Sequence, residues 1–204
     1  MELIRKDKLI KSIKSDNSNT LFFDPLLTDH QIGEVTVDLR LGYDFLVSIY
    51  TRKPVIELEG NFINSFRGIE TFFQTTRRDI GDTFILYPNQ CVLATTLEYV
   101  SLPDNNYLDL LSRSSYNRLG IQINTMVQPG FRGCIPVELF NHNNNAVELV
   151  VGSRIFQARI YQLSDSRDYL GEKIPRKYYG EIRPSSSKAD KDQDIKLLKK
   201  IASQ

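Results

Sequence analysis

TFILYPNQCVLATTLEYVSLP, Thr83 to Pro103, decides the architecture. It holds two apolar runs split by Pro88-Asn89. Proline supplies no ladder N–H and asparagine tolerates turn conformations, so the segment reads as two strands joined at a turn. The same grammar recurs on either side. Upstream, EVTVDLRLG alternates Val35, Val37, Leu39 and Leu41 on one face. Downstream come YLDLLS, GIQINTMV, CIPVELFN, AVELVVG and RIFQARIYQL, parted by Gly, Pro or Asn clusters. NHNNNA (141–146) is a plain turn between two of them, and TRRDIGD (76–82) reads as loop. Short strands this closely spaced predict a mainly β chain, an antiparallel barrel or double-sheet roll.

Helices are few. IRKDKLIKSIK is expected to be the main one, with Ile4, Leu9, Ile10 and Ile13 on or near one face. DIKLLKKIASQ can form a short helix carrying Ile195, Leu198 and Ile201. After about Ser164 the chain turns polar and poor in core formers. The expected division is a barrel domain over 1–164 and an exposed arm over 165–204. A bare composition argument makes that arm a tail. Yet it carries tyrosines and cations in YL…PRKYYG, which suits a lid closing on an anionic ligand.

Bulk properties exclude several classes. The 204 residues are 41% hydrophobic and 25% charged, enough for a real core. A net charge of +1 gives no field favouring nucleic acid or an anionic membrane. There is no apolar run long enough to span a bilayer and no apolar signal core near Met1. A cytoplasmic protein is the expectation. Two cysteines, Cys91 and Cys134, fall in strand-like runs and read as buried fillers. With no C-x-x-C and only His30 and His142, neither a zinc site nor a histidine triad is expected.

Two features carry chemistry. LSRSSYNRLG (111–120) can aim hydroxyls, backbone N–H groups and a guanidinium at one phosphate chain. It can equally be a polar turn in which Ser112, Ser114 or Ser115 caps a helix. Glu138 interrupts the apolar run Ile135, Val137, Leu139 and Phe140. Alternation with Val137 would turn it to solvent. Facing inward, it would need a partner such as Arg118 or Ser114, and desolvation would make it a general base.

These residues carry a resemblance. VTVDLRLG, YPNQCVLATTLEYVSLP, SRSSYNRLGI, QPGFRGCIPVELFN, VGSRI and RKYYGEIRPSSSK occur in the order of the dCTP deaminase branch of the trimeric dUTPase superfamily. The resemblance implies a distorted antiparallel β-barrel of jelly-roll type, with an N-terminal helix and a C-terminal lid arm. It implies a homotrimer with sites between subunits. Glu138 falls on the glutamate that activates water for attack at C4 of cytosine, Ser114 on a serine holding that water, and Arg118 on the arginine beside the glutamate. Arg113 and Ser115 fall on triphosphate contacts, while Pro136 and Val137 present backbone to the base. From the arm, Lys177 matches a lid lysine and Tyr169 a lid tyrosine.

The implied reaction is dCTP plus water to dUTP plus ammonia, with Mg²⁺ carried by the triphosphate and dTTP a candidate inhibitor. Zinc deaminases need a P-C-x-x-C pair, absent from this sequence. There are two departures from the pattern. IQINTMVQPG is shorter than usual, and Gln128 stands where an Asp precedes the P-G turn. Gln128 can hydrogen-bond a sugar hydroxyl but cannot act as a base. Glu181 stands where the lid has Gln, a charge that Lys177 or Arg183 must offset. The alternatives are a non-catalytic, regulatory nucleotide binder and a dUTP diphosphatase.

Overall fold

The structure is a computed structural model describing residues 1–15, 19–52, 55–56, 58, 68–166 and 177–202. In chain order the strands are β1 (Glu2–Leu3), β2 (Phe22–Asp24), β3 (Val37–Arg40), β4 (Asp44–Ser48), β5 (Phe73–Arg77), β6 (Thr83–Leu86), β7 (Cys91–Ser101), β8 (Asn106–Ser112), β9 (Ile121–Gln122), β10 (Asn124–Val127), β11 (Arg132–Asn141), β12 (Val147–Val150) and β13 (Arg154–Gln162). The helices are α1 (Lys6–Ile13), α2 (Ser114–Asn117) and α3 (Gln193–Ala202). One sheet runs β1-β13-β8-β10 with β3 also on β13; the other runs β5-β4-β7-β11-β9 with β2 also on β7; β12 pairs β6. All of these pairings are antiparallel. The mainly β architecture expected from the strand spacing is the one observed.

Alternation builds the core. Leu108 and Leu110 of β8, Ala158 and Ile160 of β13, Val92 and Ala94 of β7, and Val137 and Leu139 of β11 are all buried between the sheets. Phe45 and Phe84 stack at 4.1 Å between centroids. Helix α1 closes one end through Leu9, which is fully buried and worth roughly 2 kcal/mol in transfer free energy. Val35, expected on the buried face with Val37, is instead exposed, because β3 begins only at Val37.

Three expectations need correction. GIQINTMV is not one strand: β9 pairs β11 in one sheet and β10 pairs β8 in the other, with the chain crossing at Ile123. Thr76 and Arg77, read as loop, belong to the edge strand β5. Helix α1 is not the main helix, since α3 is longer, with 10 residues against 8. The described part of the arm is also no free tail. Gly180 N–H donates to Arg132 O at 2.7 Å, and Cys134 N–H donates to Glu181 O at 2.9 Å. The arm backbone thus lies along the start of β11. Among the described residues, no helix is long and apolar enough to cross a membrane.

Candidate active site

The site is organised by β11. Its pairing with β7 slips between Cys134 and Pro136, a bulge that re-aims the strand. The displaced Ile135 N–H donates to Thr96 Oγ1 at 2.9 Å, and the arm takes the Cys134 N–H. Gly133 makes this approach possible: its φ is +141°, and a Cβ there would stand 2.5 Å from Glu181 O. Beyond the bulge, Val137 and Leu139 point into the core, while Pro136, Glu138 and Phe140 face outward.

Glu138 therefore alternates with Val137 and leaves the core, the solvent-side option. It does not find Arg118 or Ser114 within the chain. Its outward position is lined rather than open. With Pro136, Val137, Phe73, Leu93 and Tyr178 it borders a cavity of about 270 Å³. On its other flank, Glu138, Ser112, Asn117, Gln122 and Phe140 border one of about 530 Å³. A third, of about 300 Å³, gathers Thr125, Gln128, Pro136, Lys177 and Tyr178. Pro136 and Tyr178 are common to two of these, so the cavities follow one another along the outward face of β11. Partial burial raises the Glu138 pKa, and the nearby Thr125 hydroxyl offsets part of that rise. Its charge in turn adds to the burial that raises Cys91 on β7. Cys134 is buried as expected, whereas Cys91 is only half-buried.

The Arg-Ser segment follows β8. Helix α2 is a single turn with Arg113, not a serine, at its N-cap, and no side chain caps it. Arg113 is anchored: its N–H donates to Ile155 O at 2.9 Å, its guanidinium donates to Arg154 O at 3.0 Å, and Nε lies 3.3 Å from Asp38. Ser114, Ser115 and Arg118 are exposed and line none of these three cavities. The single chain thus brings Gln128, Pro136, Val137, Glu138 and Lys177 together and leaves the Arg-Ser turn facing outward.

The arm supplies one wall. Lys177 pairs with Asp192 while lining the cavity that holds Gln128. The Glu181 charge is offset by neither Lys177 nor Arg183. Lys188 Nζ donates to one Glu181 oxygen and Ser185 Oγ to the other. Lys188 also lies 5.0 Å over the Tyr178 ring, and its backbone N–H donates to the Tyr178 hydroxyl at 3.2 Å. Arg183 instead reaches Asp44 of β4 at 3.4 Å. Tyr169 lies outside the described residues. Phe73, Thr125, Ser185 and Lys188 were missed by sequence reasoning, and only Lys188, a cation in the arm, gave any signal. Among the described residues, no group of three or more His, Cys, Asp or Glu could hold a metal ion.

Antiparallel sheets with a cavity-lining glutamate and a docked arm define the class, a mainly β protein with a row of cavities along one strand. The profile described as dCTP deaminase-like matches residues 4–163, and the chain belongs to that family. It is 32% identical over 198 residues, 95% of this chain and 98% of the relative, to a protein of Methanobrevibacter smithii named "dCTP deaminase, dUMP-forming". It is 34% identical over 171 residues, 82% of this chain and 85% of the relative, to a "dCTP deaminase" of Haloarcula marismortui. The crystal structure of 2'-deoxycytidine 5'-triphosphate deaminase from Agrobacterium tumefaciens aligns with a TM-score of 0.58 at 18% identity. It covers 78% of this chain and 48% of that one, and shows the shared fold.

Proposed function

We propose that this chain is a dCTP deaminase that hydrolyses the 4-amino group of cytosine, giving dUTP and ammonia. The observation that carries the reading is Glu138 at the wall of a cavity, beside Pro136 and Val137, with a pKa raised by burial. A carboxyl poised above its ordinary range is a better general base and a better proton donor in turn. Glu138 takes a proton from the attacking water as oxygen bonds to C4. It then passes protons to N3 and to the amino group, which leaves as ammonia. Pro136 and Val137 offer backbone to the pyrimidine edge. Gln128 and Lys177, which share a cavity, take the sugar and the phosphates. Glu181, neutralised by Lys188, lines the lid turn without repelling the triphosphate.

Ser114, Ser115 and Arg118 complete the site from a neighbouring copy in a homotrimer, which accounts for their outward placement. Arg113 contributes to the triphosphate from the same turn. Mg²⁺ enters with the triphosphate. The chain has no C-x-x-C, and the water is activated by carboxylate rather than zinc.

A second reading has a specific basis. Relatives carry the name "dUMP-forming", which requires a further hydrolysis of dUTP. Gln128 argues against it here, because an amide has no proton affinity near neutral pH. The deciding experiment incubates the purified protein with dCTP, dUTP and CTP plus Mg²⁺ and separates products by chromatography. Ammonia and dUTP from dCTP support the first reading. Ammonia with dUMP and pyrophosphate supports the second. Tight dCTP binding without turnover supports a regulatory binder.

A further inference from the structure

We propose that the protein accepts cytosine nucleotides carrying a neutral, hydroxylated substituent on C5 of the ring, held in a polar cavity beyond Phe73. The inference deepens the deaminase reading and takes its substrate pose from it. The cavity holding Gln128 and Lys177 shares Pro136 and Tyr178 with the one beside Glu138. That one in turn shares Phe73, Ser185 and Ser187 with a fourth cavity, of about 430 Å³. Among the described residues, the Gln128 cavity and the fourth have no wall residue in common. The Glu138 cavity therefore stands between them.

The pose fixes which ring position meets the fourth cavity. With sugar and phosphates at Gln128 and Lys177 and the ring at Pro136 and Val137, N1 points back toward the sugar. C4 lies across the ring from N1 and is given to Glu138. Of the two neighbours of C4, N3 is protonated in the reaction and C5 is free to carry a substituent. A group on C5 leaves the Glu138 cavity on the far side from the sugar, where Phe73, Ser185 and Ser187 lead onward.

The walls say what the group is. Phe73 and Thr75 stand two apart on β5 and so share a face, and Leu46 of β4 lies opposite Thr75. Against them the arm lays Ser185, Ser186 and Ser187. Ser185 donates to Glu181, and Ser187 Oγ accepts from Ala189 N–H at 3.2 Å, so each keeps hydrogen-bonding capacity. No hydrogen bond among the described residues engages Ser186. Glu70 and Asp190 stand against Lys188 and Lys191, and Lys188 is committed to Glu181. A second anion therefore meets no excess of positive charge here. Hydroxyls with that balance of charge match a neutral group that both donates and accepts, such as hydroxymethyl. A methyl in the same place leaves the hydroxyls without partners.

The test measures ammonia release, and affinity by isothermal titration, with dCTP, 5-methyl-dCTP and 5-hydroxymethyl-dCTP, each with Mg²⁺. Turnover of the last consumes one water and gives 5-hydroxymethyl-dUTP and ammonia. With one net hydrogen bond gained, kcat/KM for 5-hydroxymethyl-dCTP is expected to exceed that for 5-methyl-dCTP at least about fivefold and to match or exceed that for dCTP. Ser186→Ala should remove about fivefold of that advantage. Ser186→Leu, which fills the cavity, should cost on the order of 10² with 5-hydroxymethyl-dCTP while dCTP stays within about threefold. Circular dichroism confirms that both variants are folded, and Thr75→Val takes the place of either that is not. Equal handling of the methyl and hydroxymethyl substrates, or a Leu variant that slows all three alike, overturns the inference and leaves the deaminase reading standing. Binding of dCTP without ammonia release overturns the deaminase reading, and the order of the three affinities then supports or overturns the subsite. No binding of dCTP overturns both.

Discussion

Arg113 and Asp38 meet with Nε 3.3 Å from Oδ2, so the arginine of the Arg-Ser turn is held before any ligand arrives. Asp38 is 8% exposed and also faces Arg154 at 3.6 Å and accepts from Gln157 at 3.3 Å. One nearly buried carboxylate therefore fixes two guanidiniums and an amide. Pre-set donors bind a phosphate chain with less ordering cost than free ones. Replacing Asp38 with Asn should raise KM for dCTP about tenfold, equivalent to about 1.4 kcal/mol, with kcat changed far less. Steady-state kinetics of the folded variant check this. An unaltered KM would mean that Arg113 needs no such anchor.

Glu138→Gln should stop ammonia release while leaving dCTP affinity within about tenfold, since loss of a general base costs at least ~10². The amide keeps the size of the side chain and its place beside Pro136. Isothermal titration with dCTP, run beside an ammonia assay, separates binding from chemistry. A fully active Gln variant would sink the assignment of this carboxylate.

Glu98 predicts a pH dependence of stability. It is fully buried, accepts from Gln31 Nε2 and from Arg40 N–H, each at 2.9 Å, and burial pushes its pKa from 4.5 to about 7. The fold holds its proton where the unfolded chain has released it. Stability from this group is thus present below about pH 4.5 and is lost as pH rises through about 7. At about 1.4 kcal/mol per unit the loss is about 3 kcal/mol. In urea unfolding, Glu98→Gln should gain on the unmodified protein by about 2–3 kcal/mol between about pH 5 and 8. Parallel profiles would mean that Glu98 ionises alike in the folded and unfolded chain.

How far these features were legible in the sequence depends on what each one rests on. The strands came from alternation, which survives folding because one face of each is buried. Alternation also hid the crossing at Ile123. Ile121, Ile123 and Val127 are all buried, so the period of two runs unbroken while the chain changes sheets. β5 was missed in part because Thr75, Thr76 and Arg77 give no apolar alternation. Glu138 came from the apolar run it interrupts, and Gln128, Pro136, Val137 and Lys177 from resemblance; the fold sets them on cavities along β11. That Ser114 and Arg118 would stand exposed on a single helical turn could not be read from the residues alone, since a short polar stretch gives no apolar alternation to mark its inward side. Nor could the pairing of Glu181 with Lys188, two residues in irregular chain with no periodicity linking them.

Gln128 allows a gain-of-function test. The unmodified protein should release no stoichiometric pyrophosphate from dUTP. Gln128→Asp should introduce slow release if the crossing at Ile123 leaves the new carboxylate near the α-phosphate. A pyrophosphate assay on both proteins with dUTP plus Mg²⁺ decides it. Stoichiometric pyrophosphate from the unmodified protein would show that another group supplies the base.

Gly133 imposes an order of events on folding. The notch that admits Glu181 exists only once the β11 bulge has formed against β7, because the bulge exposes the Cys134 amide that the arm then takes. The two partners lie far apart in the chain, so their meeting carries a loop-closure cost that the barrel must already be compact enough to meet. Among the described residues, backbone hydrogen bonds join the arm to the start of β11 at Arg132 and Cys134, and Arg183 ties it to Asp44 of β4. A segment attached that way can open and reseat without unfolding the sheet beneath it.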